Sequence, residues 1–94
     1  MKAVAEAYGI TLEELRSNSR IARIATARAV VCYMLYRYYN YSTKDVGKMV
    51  LRDHTTVMHN CRKVQGFYIL PKMYATDIAI IKEIEEKYFR YETD

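Results

Sequence analysis

A chain of 94 residues with a net charge of +4, 51% apolar and 28% charged residues describes one small domain, residues 1–94, able to bury about 60 to 65% of its unfolded surface. Its longest apolar run, Ala29 to Tyr36, lies between Arg28 and Arg37 and falls far short of the roughly 20 residues that span a bilayer, so no membrane segment is expected. Glu6 interrupts the N-terminus where a secretion signal needs unbroken apolar residues, and Cys32 and Cys61 lack metal-type spacing, which points to an intracellular protein with free thiols.

Met1 to Tyr8 reads as a first helix stopped by Gly9, a residue that tolerates the left-handed C-terminal conformation. Thr11 followed by Glu14 in "TLEEL" has capping-box spacing and opens a second, short helix. "SNSR", Ser17 to Arg20, breaks the pattern because small polar side chains bond to their own backbone; it is expected as a basic loop. From Ile24 to Tyr39, Ala27, Val31, Met34, Leu35 and Tyr38 line one helical face, while Ala25, Cys32, Tyr36 and Tyr39 fill much of another. A helix apolar nearly all round should be the central, buried one.

Asn40 ends that helix. Ser42 with Asp45 repeats the capping logic and opens a short helix from Thr43 to about Val50, and Asp53 can cap a further helix beginning at His54. Two short helices joined by about three residues make a helix-turn-helix. Gly66 is the next expected interruption, and Pro71, which lacks a backbone donor, should end the helix before it. A last packing helix, Lys72 to about Tyr91, carries a stripe of Tyr74, Ile78, Ile81, Ile84 and Tyr88, with Glu83–Lys87 and Glu86–Arg90 pairs on its outer face,. No strand alternation is visible, so the fold class is all-α.

Charge is segregated along the chain. From Arg16 to Lys63 ten basic residues stand against Asp45 and Asp53, a net +8, and the remainder carries a net −4. Such asymmetry points to a polyanionic partner, nucleic acid before membrane, since no basic amphipathic helix with a lipid-facing edge is present. A solvated basic face is the plainer reading of the same pattern.

Both histidines fall within "VLRDHTTVMHNCRKV", Val50 to Val64. On a helical wheel Val57, Cys61 and Val64 share one side, while Thr55, Thr56, His59, Arg62 and Lys63 share the other. Metal ligation fails on geometry, because ligands on one helix need i,i+3 or i,i+4 spacing and these histidines are five apart. Nothing local is a nucleophile with a positioned base and no phosphate loop occurs, so neither an enzyme nor a cofactor or small-molecule substrate is expected. A helix presenting Arg, Asp, His and Thr at its N-terminus suits the major groove of DNA; the plainer alternative is a solvated amphipathic helix. The ten tyrosines read as core and rim packing rather than stacking platforms.

"RDHTTVMHNCRKV", Arg52 to Val64, resembles the RDHTTV-x-HA signature that opens the recognition helix in the C-terminal DNA-binding domain of the DnaA family of bacterial replication initiators. The likeness runs upstream through "ITLEEL", "SRIARIATAR", "YML" and "YSTKDVGK", covering about Val4 to Val64. It implies a Trp-repressor-like helix-turn-helix domain that reads a short, non-palindromic DnaA box in double-stranded DNA, acting in replication initiation or its regulation. Carried over by position, Asp53, His54 and Thr55 would meet base edges, with Thr56 and His59 beside them; Arg20 would enter the minor groove; Arg23, Arg28, Lys44, Arg52 and Lys63 would hold phosphates. The resemblance further implies a cytoplasmic setting, the bacterial nucleoid or a phage-infected bacterial cytoplasm, where replication proteins are possible partners. A module for a non-palindromic site has no need of two-fold symmetry and is expected to be monomeric.

Departures from the family pattern are specific. The Gly-Gly pair usual before RDH is absent from "KMVLRDH", which is one residue shorter; Ser17, Asn18 and Ser19 stand where basic residues are common; Ala29 replaces the glutamine after Ala-Arg; and an initiator's ATPase portion is not in this sequence. An alternative therefore stays open: a helical protein-interaction module that keeps the fold without reading DNA sequence.

Overall fold

The computed structural model describes residues 1–89 and, among them, six helices and no strand: α1 Lys2–Tyr8, α2 Leu12–Arg16, α3 Ala22–Tyr38, α4 Thr43–Val50, α5 His54–Phe67 and α6 Ala75–Phe89. The all-α fold is as expected, and no helix among these residues is long and apolar enough to cross a membrane.

Local chemistry sets the helix ends. Gly9 adopts φ 68° and turns its N–H to the Ala5 and Glu6 carbonyls, closing α1,. At α2 the Thr11 hydroxyl accepts the Glu14 N–H at 3.0 Å while the Glu14 carboxylate accepts the Thr11 N–H at 2.9 Å, a complete capping box,. Ser42 caps α4 by accepting the Asp45 N–H at 3.1 Å, and Asp53 caps α5 by accepting the Thr56 N–H at 2.7 Å.

Some boundaries shift from expectation. α3 begins at Ala22 rather than Ile24, because the Ser19 hydroxyl accepts the Ile21 N–H and the Ile21 carbonyl already accepts from Ala25. Gly66 does not interrupt α5: one helical glycine costs only about 1 kcal/mol, less than the roughly 1.5 to 3 kcal/mol gained by burying Phe67, the next and last residue of the helix,. α6 starts at Ala75 rather than Lys72, since after Pro71 the N–H groups of Met73 and Tyr74 both turn back to the Leu70 carbonyl. The expected C-terminal limit at Tyr91 and the partner Arg90 lie outside the described residues.

α3 is the central helix, buried from Ala27 through Leu35, with α1, α2, α4 and α5 packed around it. Val46 and Val50 of α4 meet Val57, Cys61 and Val64 of α5 in the same core. α6 lies on α1 and contributes Ile78, Ile81 and Ile84. Two tyrosine hydroxyls fasten it: Tyr8 donates to Asp77 Oδ1 at 2.6 Å and Tyr38 to the Glu85 carboxylate. Burial, with the neighbouring carboxylate, pushes the Tyr38 phenol up to about 12. Tyr33 is buried and Tyr8, Tyr38 and Tyr74 half-buried, as a core-and-rim role requires, whereas Tyr36, Tyr39, Tyr41, Tyr68 and Tyr88 are exposed.

Candidate nucleic-acid interface

The turn between α4 and α5 determines where the N-terminus of α5 points. Leu51 ends α4 in the left-handed conformation, φ 58° and ψ 48°, where glycine is preferred because a Cβ costs about 1 to 2 kcal/mol there. Leu51 and Arg52 both turn their N–H groups to the Gly47 carbonyl, the latter at 2.8 Å. A Cβ added at Gly47 would collide with the Arg52 carbonyl oxygen. The missing glycine pair is thus met by a leucine in the left-handed position and by a glycine one helical turn earlier, against which the shortened turn is pressed.

α5 divides as the wheel expects. Val57, Cys61 and Val64 are buried; Asp53, His54, Thr55, His59, Arg62 and Lys63 are exposed; Thr56 is half-buried. The Asn60 amide donates to Cys32 Sγ at 3.6 Å, tying the helix to α3. Hydrogen bonding from the Thr56 N–H holds the Asp53 carboxyl below its ordinary range, so it is an acceptor at neutral pH with Oδ1 occupied by the cap. The surface at this helix end therefore offers a carboxylate, an imidazole and a threonine hydroxyl and methyl, at the positive end of the helix dipole.

The cations expected on phosphates fall into two groups. Arg20, Arg23, Lys44 and Lys63 are exposed, with no carboxylate partner among the described residues. Arg28 is placed otherwise: only 7% exposed, it donates from Nε to the Leu15 carbonyl at 2.8 Å and from Nη2 to the Ser17 carbonyl at 2.7 Å. Its charge stays inside the fold because burial is offset by carbonyl dipoles. Arg52 is half-buried, donating from Nη1 to the Leu51 carbonyl at 2.8 Å and from Nη2 to the same Ser17 carbonyl.

Sequence reasoning missed Arg16, whose Nε donates to the Met49 carbonyl at 3.0 Å across 33 positions of chain. Nothing in spacing reveals this contact, since a cation in the last turn of a short helix is ordinary. The role of Gly47 was findable: an isolated glycine inside a helical pattern usually has a packing reason. Together these contacts bring residues 17–21, which carry Arg20, beside the turn that launches α5.

Comparison with known proteins gives a consistent result. The family model described as the bacterial dnaA protein helix-turn-helix matches residues 1–64. The chromosomal replication initiator protein DnaA of Chloroflexus aggregans is 38% identical over 65 residues, covering 68% of this chain and 14% of that protein. The Anaplasma marginale protein of the same name is 36% identical over 81 residues, 85% of this chain and 17% of that protein. That of Bacteroides thetaiotaomicron is 26% identical over 88 residues, 93% of this chain and 19% of its own length. The chain spans less than a fifth of the length of these curated relatives.

Proposed function

The chain belongs to the bacterial DnaA helix-turn-helix family, and on that premise we propose that it binds double-stranded DNA sequence-specifically, in replication initiation or its regulation. α5 enters the major groove, where Asp53 accepts from cytosine N4, His54 bonds a base edge and the Thr55 methyl packs on thymine. Thr56 and His59 flank those contacts. Arg20 enters the adjacent minor groove, drawn by the negative potential of a narrow A·T-rich segment. Arg23, Lys44 and Lys63 neutralise phosphates and supply the salt-dependent part of affinity. Arg52, although its Nη groups donate to carbonyls, adds its positive charge to the same phosphates,.

One observation carries this reading: the exposed Asp53–His54–Thr55 end of α5 lies beside residues 17–21 in a region whose exposed cations have no carboxylate partner among the described residues. Selection of bound duplexes from a random pool tests it. An enriched, non-palindromic motif of about one helical turn is expected; a pool that stays random would leave only charge attraction.

A second reading, a protein-docking module that no longer reads DNA, draws on the exposed apolar residues Tyr68, Ile69, Leu70 and Met73, which lie outside the family match. Titration of duplex at low salt separates the two, since a docking module leaves the duplex unbound.

A further inference from the structure

Three arginines surround the loop at residues 17–21 and the turn before α5, each with backbone carbonyls as its acceptor: Arg52 ties the loop to the turn, Arg28 ties it to α3, and Arg16 ties the end of α2 to α4. Arg28 rises from the central helix α3 and grips the Leu15 and Ser17 carbonyls, with longer approaches to Ser19. Arg52, in the turn, grips the same Ser17 carbonyl. Arg16, the last residue of α2, reaches the Met49 carbonyl near the end of α4, one of the helix-terminal acceptors that has no partner within its own helix. The loop is also bonded to α2 and to itself: Ser17 Oγ donates to the Glu14 carbonyl at 2.6 Å and accepts from the Ser19 N–H at 3.2 Å.

We propose that Arg16, Arg28 and Arg52 are positioning residues that clamp the Arg20 loop to the turn before α5, fixing the offset between the parts that meet the two grooves. The inference rests on the DNA-reading function proposed above. A guanidinium is a planar fork of donors in fixed directions, so two of them converging on one carbonyl oxygen define a distance better than a flexible chain does. Acceptance by carbonyls rather than carboxylates leaves the three charges unneutralised. The clamp therefore holds the loop and still adds to the positive field there. It also assigns Arg28 to geometry instead of phosphate contact.

The test uses a duplex recovered by selection and derivatives with one base pair inserted at successive positions. Wild-type protein should lose roughly tenfold or more in affinity when the insertion separates the minor-groove from the major-groove segment. In Arg28→Gln and in Arg16→Gln the parent duplex should bind more weakly, while the insertion penalty shrinks to a few-fold and the salt slope falls by well under the roughly one unit of a lost phosphate contact. An equal insertion penalty in wild type and variants overturns the clamp, and so does a fall of about one unit in the salt slope of Arg28→Gln, the mark of a lost phosphate contact. Arg16 is exposed, so its variant keeps the test decisive should Arg28→Gln fail to fold. An independent reading on the unaltered chain is the Arg28 Nε–H resonance, expected to exchange slowly and to keep its shift when duplex is added; a large shift on binding would contradict the assignment. Should wild type recover no sequence at all, the DNA-reading function itself falls, an outcome distinct from failure of the clamp alone.

Discussion

Replacing Gly47 with alanine sets two effects of opposite sign against each other. Alanine is the better helix former by about 1 kcal/mol, and Gly47 lies inside α4. Yet its Cβ would collide with the Arg52 carbonyl oxygen, with the carbonyl carbons of Arg52 and Asp53 at 3.5 and 3.6 Å behind it. These are backbone atoms and cannot rotate away. Relief requires the turn to move, which costs about 1 to 3 kcal/mol as overpacking and weakens the Arg52 N–H to Gly47 carbonyl bond, worth about 0.5 to 1.5 kcal/mol. The penalty exceeds the gain, and a net loss of about 1 to 3 kcal/mol is expected. Gly66 provides the control, since it lies in α5 and a Cβ there meets nothing within 4 Å. Gly66→Ala should gain up to about 1 kcal/mol. Urea unfolding of the two variants beside wild type measures both, and equal stabilisation of the two would refute a turn pressed against Gly47.

Leu51→Gly removes a left-handed Cβ from a residue that is 63% exposed and should raise stability by about 0.5 to 1 kcal/mol, read as a higher denaturation midpoint with unchanged slope. Asp53→Ala should lower stability by removing the α5 cap, whereas Asp53→Asn should preserve it at neutral pH because asparagine caps as well. The native Asp53 carboxyl is held below its unfolded value of about 3.9,. Its ionisation therefore stabilises the fold above that pH, and the contribution disappears as pH falls through the lower native value. Melts between pH 2 and 7 should show that loss in wild type and not in Asp53→Asn. Cys32 is fully buried and burial pushes its thiol up to about 11, so at pH 8 an aromatic disulfide reagent should modify it at least roughly 100-fold more slowly in the native than in the unfolded chain.

The elements were legible in the sequence where a local rule operates. Gly9, Thr11, Ser42 and Asp53 each act through atoms within four residues, and the structure has all four ending or capping helices in the expected way. The buried face of α5 followed from period alone, as did the central place of α3, although Tyr36 and Tyr39 of its second expected face are exposed and Arg28, Val30 and Tyr33 are buried instead. What escaped was set by tertiary context. Gly66 stays helical because Phe67 is buried beneath it. Arg28 looks like a surface cation until the position of the Ser17 carbonyl is known, and the reach of Arg16 to Met49 depends on how α2 meets α4. Residues whose partners lie a few positions away announce themselves; those whose partners lie across the fold do not.

The central claim is that side chains at the start of α5 read base identity while cations around them supply sequence-independent attraction. The most direct measurement is the affinity of His54→Ala, Thr55→Ala and Lys63→Ala for a selected duplex and its single-base-pair variants at several salt concentrations. His54→Ala and Thr55→Ala should each cost about 1 to 3 kcal/mol on the parent duplex and erase discrimination at one position. Lys63→Ala should weaken every duplex alike and lower the salt slope by about one unit. Equal weakening of all duplexes by all three substitutions would contradict base reading by α5.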